Sequence, residues 1–243
     1  MSHYDAQLSA AVKHFWMTRT RQSELQGTTT GRRDTGARSA VTGSKQMDGF
    51  VILVRELLIE AGLPQAVIHC DSRLELPGYF RAEKKWDLIV VVDGVLLAAF
   101  EFKSQVGPSF GNNFNNRTEE ALGSATDLWT AFREGAFQTA QRPWLGYLML
   151  LEECPGSTTP VAVREPHFPV FSDFRDASYC RRYELLLTRC VRERLYDSVC
   201  FLLSEQSSGL SGTFREPSMD MAFAQFSASF LGRAFAFAKS KSP

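Results

Sequence analysis

Two acids and a lysine stand inside an apolar run that reads WDLIVVVDGVLLAAFEFK from Trp86: Asp87, Glu101 and Lys103. Taking such groups out of water costs on the order of several kcal/mol per ion unless they are paired or hold a metal, so they point to chemistry rather than packing. Two carboxylates on one surface suit a hard divalent cation, Mg2+, which keeps several waters. Beside a phosphodiester, such an ion stabilises charge on the phosphoryl oxygens and lowers the pKa of a bound water. Lys103 would orient that water or neutralise charge developing at phosphorus. The reaction implied is in-line hydrolysis of a nucleic-acid backbone. The plain alternative is a Glu101–Lys103 salt bridge at the exposed end of a strand.

The elements that position these groups follow from face counting. Side chains alternate along a strand, so Glu101 and Lys103 share a face and Phe102 takes the other. Trp86–Val92 and Val95–Phe102 form a hairpin at Asp93-Gly94. A two-residue turn would pair Val92 with Val95, set Asp87 opposite Phe100 and leave it on the wrong face. A three-residue turn over Val92, Asp93 and Gly94, with Gly94 left-handed in a bulge, pairs Val91 with Val95. Asp87 then faces Ala99 and lies diagonal to Glu101 at roughly 7 Å. An odd residue near Gly94, as a bulge or a longer odd loop, is therefore expected.

After Lys103 the chain reads SQVGPSFGNNFNNR, a loop dense in Gly, Asn and Ser, with a helix expected from about Arg117 to Glu134. Gly107 and Gly111 allow close backbone approach, and a following helix N-terminus favours phosphate. Asn pairs bidentately with adenine and Arg with guanine, so Ser109, Asn112, Asn113, Asn115, Asn116 and Arg117 are candidate DNA contacts. A polar loop that caps a helix is the alternative for any one Asn. Arg181 and Arg182 could reach phosphates or line a solvated helix face. Asp48 and Glu56 could lie beside the metal pocket, and His167 reads as a turn histidine. Trp129 and Trp144 read as core. No P-loop, dinucleotide fingerprint or nucleophile motif is present.

The remaining elements alternate helix and strand. Tyr4–Trp16 and Met47–Ala61 have helical spacing, the second stopping at Gly62. Ala66–Cys70, Leu145–Leu151 and Val199–Leu203 are strand candidates. Ala177–Tyr196 and Met219–Ala238 are helix candidates, the last carrying a stripe of Phe223, Phe226, Phe230 and Phe237 that reads as core or subunit contact rather than membrane surface. This order fits an α/β fold, a mixed central β-sheet flanked by helices. One domain over residues 1–243 is expected: N-terminal helix and basic arm to 46, core over 47–204, and a helical extension over 205–243.

With 243 residues, 44% of them hydrophobic, the chain can bury a sizeable core. Formal net charge is zero, so bulk charge argues neither for nor against a nucleic-acid partner. Its distribution is uneven. Arg19, Arg21, Arg32, Arg33, Arg38 and Lys45 face only Glu24 and Asp34 in a Gly/Thr/Ser-rich stretch that reads as a flexible basic arm or a solvated linker, with Arg32 and Arg33 as candidate DNA contacts. Five cysteines without ligand spacing read as reduced thiols. No stretch reaches the length of a membrane span and the start lacks a secretion-signal layout, so a cytoplasmic location is expected.

Taken together, LPGYFR, KKWDLIVV, EFKSQVGPSFGNNFNNR, HFPVFSDF and ASYCRRYE resemble the XhoI family of type II restriction endonucleases, over about Met47 to Glu184. That family looks like part of the PD-(D/E)XK nuclease superfamily, built on a mixed sheet between helices. The resemblance implies catalytic Asp87, Glu101 and Lys103, with metal held by Asp87, Glu101 and the Phe102 backbone carbonyl. Trp86 replaces the nominal proline before the first acid. It further implies Mg2+-dependent double-strand cleavage of CTCGAG with four-base 5′ overhangs, a homodimer with one active site per strand, and a companion DNA methyltransferase. Two other readings remain: a structure-specific repair or recombination nuclease, and a DNA-binding protein that has lost catalysis.

Overall fold

A five-stranded mixed sheet carries the molecule, and helices cover both its faces. The computed structural model describes residues 4–29, 45–137 and 141–240. The strands are β1 (Ile68–His69), β4 (Leu88–Val92), β5 (Val95–Gln105), β6 (Trp144–Glu152) and β7 (Ser198–Ser204), in the spatial order β1-β4-β5-β6-β7. β1, β4 and β5 pair antiparallel; β6 and β7 continue parallel to β5. Parallel neighbours need crossovers, which the helices between them supply.

The long helices are α1 (Asp5–Thr29), α2 (Asp48–Glu60), α3 (Phe110–Arg133), α4 (Tyr179–Arg192) and α5 (Phe223–Ser240). Alternation along the strands sorts the core into two layers. Leu88, Val90, Phe100, Phe102, Leu148 and Leu202 pack with α1, α2 and α5, where the phenylalanine stripe of α5 is buried. Ile89, Ala99, Tyr147, Met149 and Phe201 pack with α3 and α4. Trp129 and Trp144 are buried as expected. All five cysteines are free thiols. Among the described residues no helix is long and apolar enough to cross a membrane.

Four expectations need correction. The first helix runs on to Thr29, so Arg19, Arg21 and Glu24 belong to a helix rather than to an arm; its second half has no apolar stripe to announce it. Arg19 is partly buried and donates to Gln46 Oε1 at 3.1 Å. Arg32, Arg33 and Arg38 lie outside the described residues. The Asn-rich stretch is not a loop: α3 starts at Phe110, six positions short of Asn116, because Phe110 and Phe114 pack on Tyr179 of α4 and outweigh the poor helix propensity of Asn. Gly111 permits this approach, since a Cβ there would lie 2.7 Å from the Tyr179 hydroxyl.

The third correction concerns the hairpin. Its turn has two residues after all: Val92 pairs Val95, and Asp93 (φ 51°) with Gly94 (φ 77°) both take left-handed backbone, as a type I′ turn requires. The odd residue sits inside β5 instead. Val91 pairs Leu96 but Val90 pairs Ala98, which leaves Leu97 as a bulge. Leu97 and Ala98 accordingly pack into the same layer, although they are consecutive. The fourth is an element the residues did not signal: a small hairpin of β2 (Glu75–Pro77) and β3 (Glu83–Lys85), whose three-residue strands carry too few apolar side chains to stand out.

Candidate functional site

The bulge decides which acids meet. Beyond Leu97 the register runs Val90 to Ala98, Ile89 to Ala99 and Leu88 to Phe100, so its continuation sets Asp87 directly opposite Glu101 instead of diagonal to it. The Asp87 amide donates to Phe100 O at 3.2 Å, and Asp87 Oδ2 accepts from the Phe102 amide at 2.7 Å. Both acids and Lys103 therefore face the α3/α4 layer. Parallel pairing with β6 holds Glu101 beside Tyr147 and Lys103 beside Met149.

Glu101 is 4% exposed and bound by two ammonium groups. Lys103 pairs with Oε1, and Lys84 from β3 pairs with Oε2 at 2.6 Å. The Glu101–Lys103 pair expected as the plain alternative thus exists, but it is buried rather than at an exposed strand end. Burial pushes the Glu101 carboxyl up, yet Lys103 and Lys84 outweigh it and hold the group below the usual range. Lys103 is moved up: burial opposes its charge, but Glu101 and Asp87 prevail. Asp87 goes the other way, to about 6, chiefly through burial and then through the facing Glu101 carboxylate.

Among the described residues no cationic side chain pairs directly with Asp87, and no three His, Cys, Asp or Glu side chains converge. A cation here would rest on two carboxylates and backbone oxygen, a donor set that suits a small hard ion retaining waters. The Phe102 peptide borders the same place through its hydrogen bond to Asp87. The residues fit such an ion, and the raised Asp87 carboxyl is what burial beside a second carboxylate produces.

Around this centre the other candidates separate. Ser109 precedes α3 and is exposed; Asn112, Asn115 and Asn116 are exposed and Asn113 half-buried on its first two turns. Arg117 turns inward, paired with Glu120 and close enough to Lys103 to affect its charge. Arg181 pairs with Glu184 at 2.8 Å. Arg182 braces the chain before α4, donating to Ala177 O and Val161 O at 3.1 Å each. Asp48 and Glu56 do not border the acid pair: α2 lies across the sheet, where Asp48 feels His14, Lys45 and Asp71. His167 is exposed in the connection between β6 and α4.

The residue reading missed Lys84, although KKWD places it three positions before Asp87. It also missed the network beneath α3. Tyr183 donates to Gln105 Oε1, Gln105 Nε2 donates to Phe110 O at 2.9 Å, and Tyr147 is fully enclosed between them and Arg117. That network ties the strand bearing Glu101 and Lys103 to the first turn of α3.

Comparison with known proteins matches this sequence to one enzyme class. The family model described as restriction endonuclease XhoI matches residues 26–216. A type II restriction enzyme, BstVI of Geobacillus stearothermophilus, is 54% identical over 82% of this chain and 91% of its own length. XhoI of Xanthomonas vasicola is 44% identical over 79% of this chain and 77% of its own, and AbrI of Azospirillum brasilense 50% over 69% and 75%. No solved structure matches. The chain is a site-specific endonuclease of the type II restriction class, acting on double-stranded DNA. It belongs to the XhoI restriction endonuclease family. The family match extends beyond the Met47–Glu184 stretch at both ends and takes in β7, while α5 stays outside it.

Proposed function

We propose that the chain cleaves both strands of CTCGAG, leaving four-base 5′ overhangs, with Asp87, Glu101 and Lys103 as its catalytic residues and Mg2+ as its metal. The observation that carries this reading is the Leu97 bulge, which brings Asp87 opposite Glu101 on the face that also bears Lys103. Asp87, Glu101 and the Phe102 carbonyl would hold the ion, as in the PD-(D/E)XK order that the family resembles. When bound, it supplies Lewis-acid charge to the phosphate and acidity to a water. Lys103, fixed against Glu101, orients the attacking water and offsets charge developing on the phosphoryl oxygens. Lys84 keeps Glu101 ionised and turned toward the site. The asparagines at the start of α3 and Arg117 would read bases with Ser109 ahead of them touching the duplex, and Arg181 and Arg182 would reach phosphates. Arg32 and Arg33 would close on the duplex from the arm.

A palindrome is matched by a homodimer in the cytoplasm, with one site per strand and a methyltransferase protecting the host sequence. Digestion of a plasmid of known sequence with Mg2+ tests the reading. Discrete fragments ending at CTCGAG are expected; a smear, cutting at another sequence, or preference for flaps and junctions overturns it.

A further inference from the structure

The small hairpin does two things at opposite ends. At its base, Lys84 of β3 reaches Glu101 and lies over the Trp86 ring, 4.2 Å from the centroid. Leu74 and Leu76 of the same hairpin are buried against the α3/α4 layer, so the base is fixed to the core. At its tip, Gly78–Ala82, two large aromatic side chains stand in solvent: Tyr79 is 54% and Phe80 71% exposed. Their rings meet edge to face at 5.0 Å.

A tip of this kind is normally loose, but this one is clamped. Asp127 of α3, 3% exposed, accepts from the Tyr79 amide at 2.7 Å, the Phe80 amide at 2.8 Å and Arg81 Nε at 2.6 Å. Gly78 is required for this fit, because a Cβ there would lie 2.6 Å from Asp127 Oδ2 and from Arg81 O. A buried carboxylate thus spends all these contacts on holding two exposed rings in place. Such rigidity has no use in a free surface loop, and it lowers the ordering cost of binding something.

We propose that the Tyr79-Phe80 tip is a DNA-contacting wedge, packing its rings against bases or sugars of the same duplex that is cut at Asp87 and Glu101. Continuity with the site identifies the occupant. Phe80 lies four residues from Lys84, at most about 14 Å of chain, within about four base-pair steps of a duplex laid across the acid pair. Within residues 72–86, Arg81 is paired with Asp127 and Lys84 with Glu101, and Arg73 and Lys85 are matched by Glu75 and Glu83, so the hairpin presents no net negative charge to repel a polyanion. Aromatic side chains on a fixed edge stack on bases or enter base steps without needing a particular sequence.

This inference rests on the reading that the chain binds a CTCGAG duplex, and its test separates the two. Binding of a fluorescein-labelled CTCGAG duplex is followed by anisotropy with Ca2+ in place of Mg2+, for the wild type and for Tyr79→Ala/Phe80→Ala. The double variant is expected to melt like the wild type, keep its oligomeric state and bind about tenfold or more weakly. Its slope of affinity against salt should be unchanged, since no charge is lost. Tyr79→Trp/Phe80→Trp should restore binding. If the wild type binds and the double variant binds equally well, the wedge is refuted while the function stands. A change of sedimentation in the double variant overturns it in favour of a subunit contact. Failure of the wild type itself to bind overturns the function on which the wedge depends.

Discussion

Asp87 and Lys103 carry the residue-scale argument, because each is placed by one strand position and each has a distinct task. Lys103→Ala or Asp87→Ala should abolish cleavage while a mobility-shift assay still shows the cognate duplex bound; cutting by either variant would refute the assignment. Asp87 also makes a prediction about the metal-free protein. Its folded carboxyl sits near 6, above an ordinary 3.8. The native state therefore holds the proton more tightly, and stability falls as pH rises from about 4 to about 6, with the whole penalty present above that window. That difference corresponds to at most about 3 kcal/mol. Asp87→Asn keeps an oxygen for the Phe102 amide and removes the charge. In EDTA at pH 8 it should melt several degrees above the wild type, and the gain should vanish near pH 4. Equal melting at both pH values would show that the acid pair is not strained by charge. At this scale Asp87, Glu101 and Lys103 were legible because charge in an apolar run is rare. Lys84 and Asp127 were not, since a lysine among lysines and an acid within a helix look like ordinary surface until their partners are seen.

The bulge is the lesson at the scale of elements. Parity demanded an odd residue between Asp87 and Glu101, and the structure contains one, but at Leu97 rather than in the turn. Parity is countable from sequence; its location is not, because Asp93-Gly94 suits a two-residue turn and Leu97 is as apolar as its neighbours. The two solutions should be interchangeable. Deleting Leu97 alone removes the odd residue but leaves Val90 opposite Ala98 and Asp87 opposite Glu101 across an unbulged two-residue hairpin, with β6 holding Ala98–Gln105 in register, so measurable cleavage should survive. Adding one glycine after Gly94 to that deletion moves the odd residue into the turn without changing the number of residues between Val90 and Ala98, and should also keep measurable cutting; a doubly altered protein that folds but is inactive would break the parity argument. The same limit explains the other misplaced boundaries. The polar start of α3 is helical because of what it packs against, and short β2 and β3 exist because Leu74, Leu76 and Trp86 find α3. Clamping this hairpin has its own pH signature. Burial pushes Asp127 up, but Arg81 and the Phe80 and Tyr79 amides outweigh it and hold the carboxyl below its usual value. Its stabilisation is present above about pH 4 and fades as pH falls through the lowered value. Asp127→Asn should destabilise the fold by about 1.5–3 kcal/mol at pH 7, measured by urea unfolding, and by less near pH 3.

For the whole molecule the governing fact is that each chain carries the Asp87–Glu101 pair once, whereas a duplex has two strands to cut. A two-fold symmetric sequence is met most simply by two copies related by the same axis, each placing its Glu101 and Lys103 at one strand. Net charge of zero lets two copies approach without bulk repulsion, and leaves DNA attraction to local cationic stretches such as the sequence after α1. Sedimentation should therefore give about twice the 27.3 kDa chain mass. A mixed population separates shared from independent action. When wild type and an affinity-tagged Lys103→Ala chain are refolded together and the hetero-pair is isolated, each particle has one working site. It should convert supercoiled plasmid to open circles and stop there, because the second strand faces a site without its lysine. Linear product at the wild-type rate would mean that a single chain cuts both strands in turn, and the symmetric dimer would have to be abandoned.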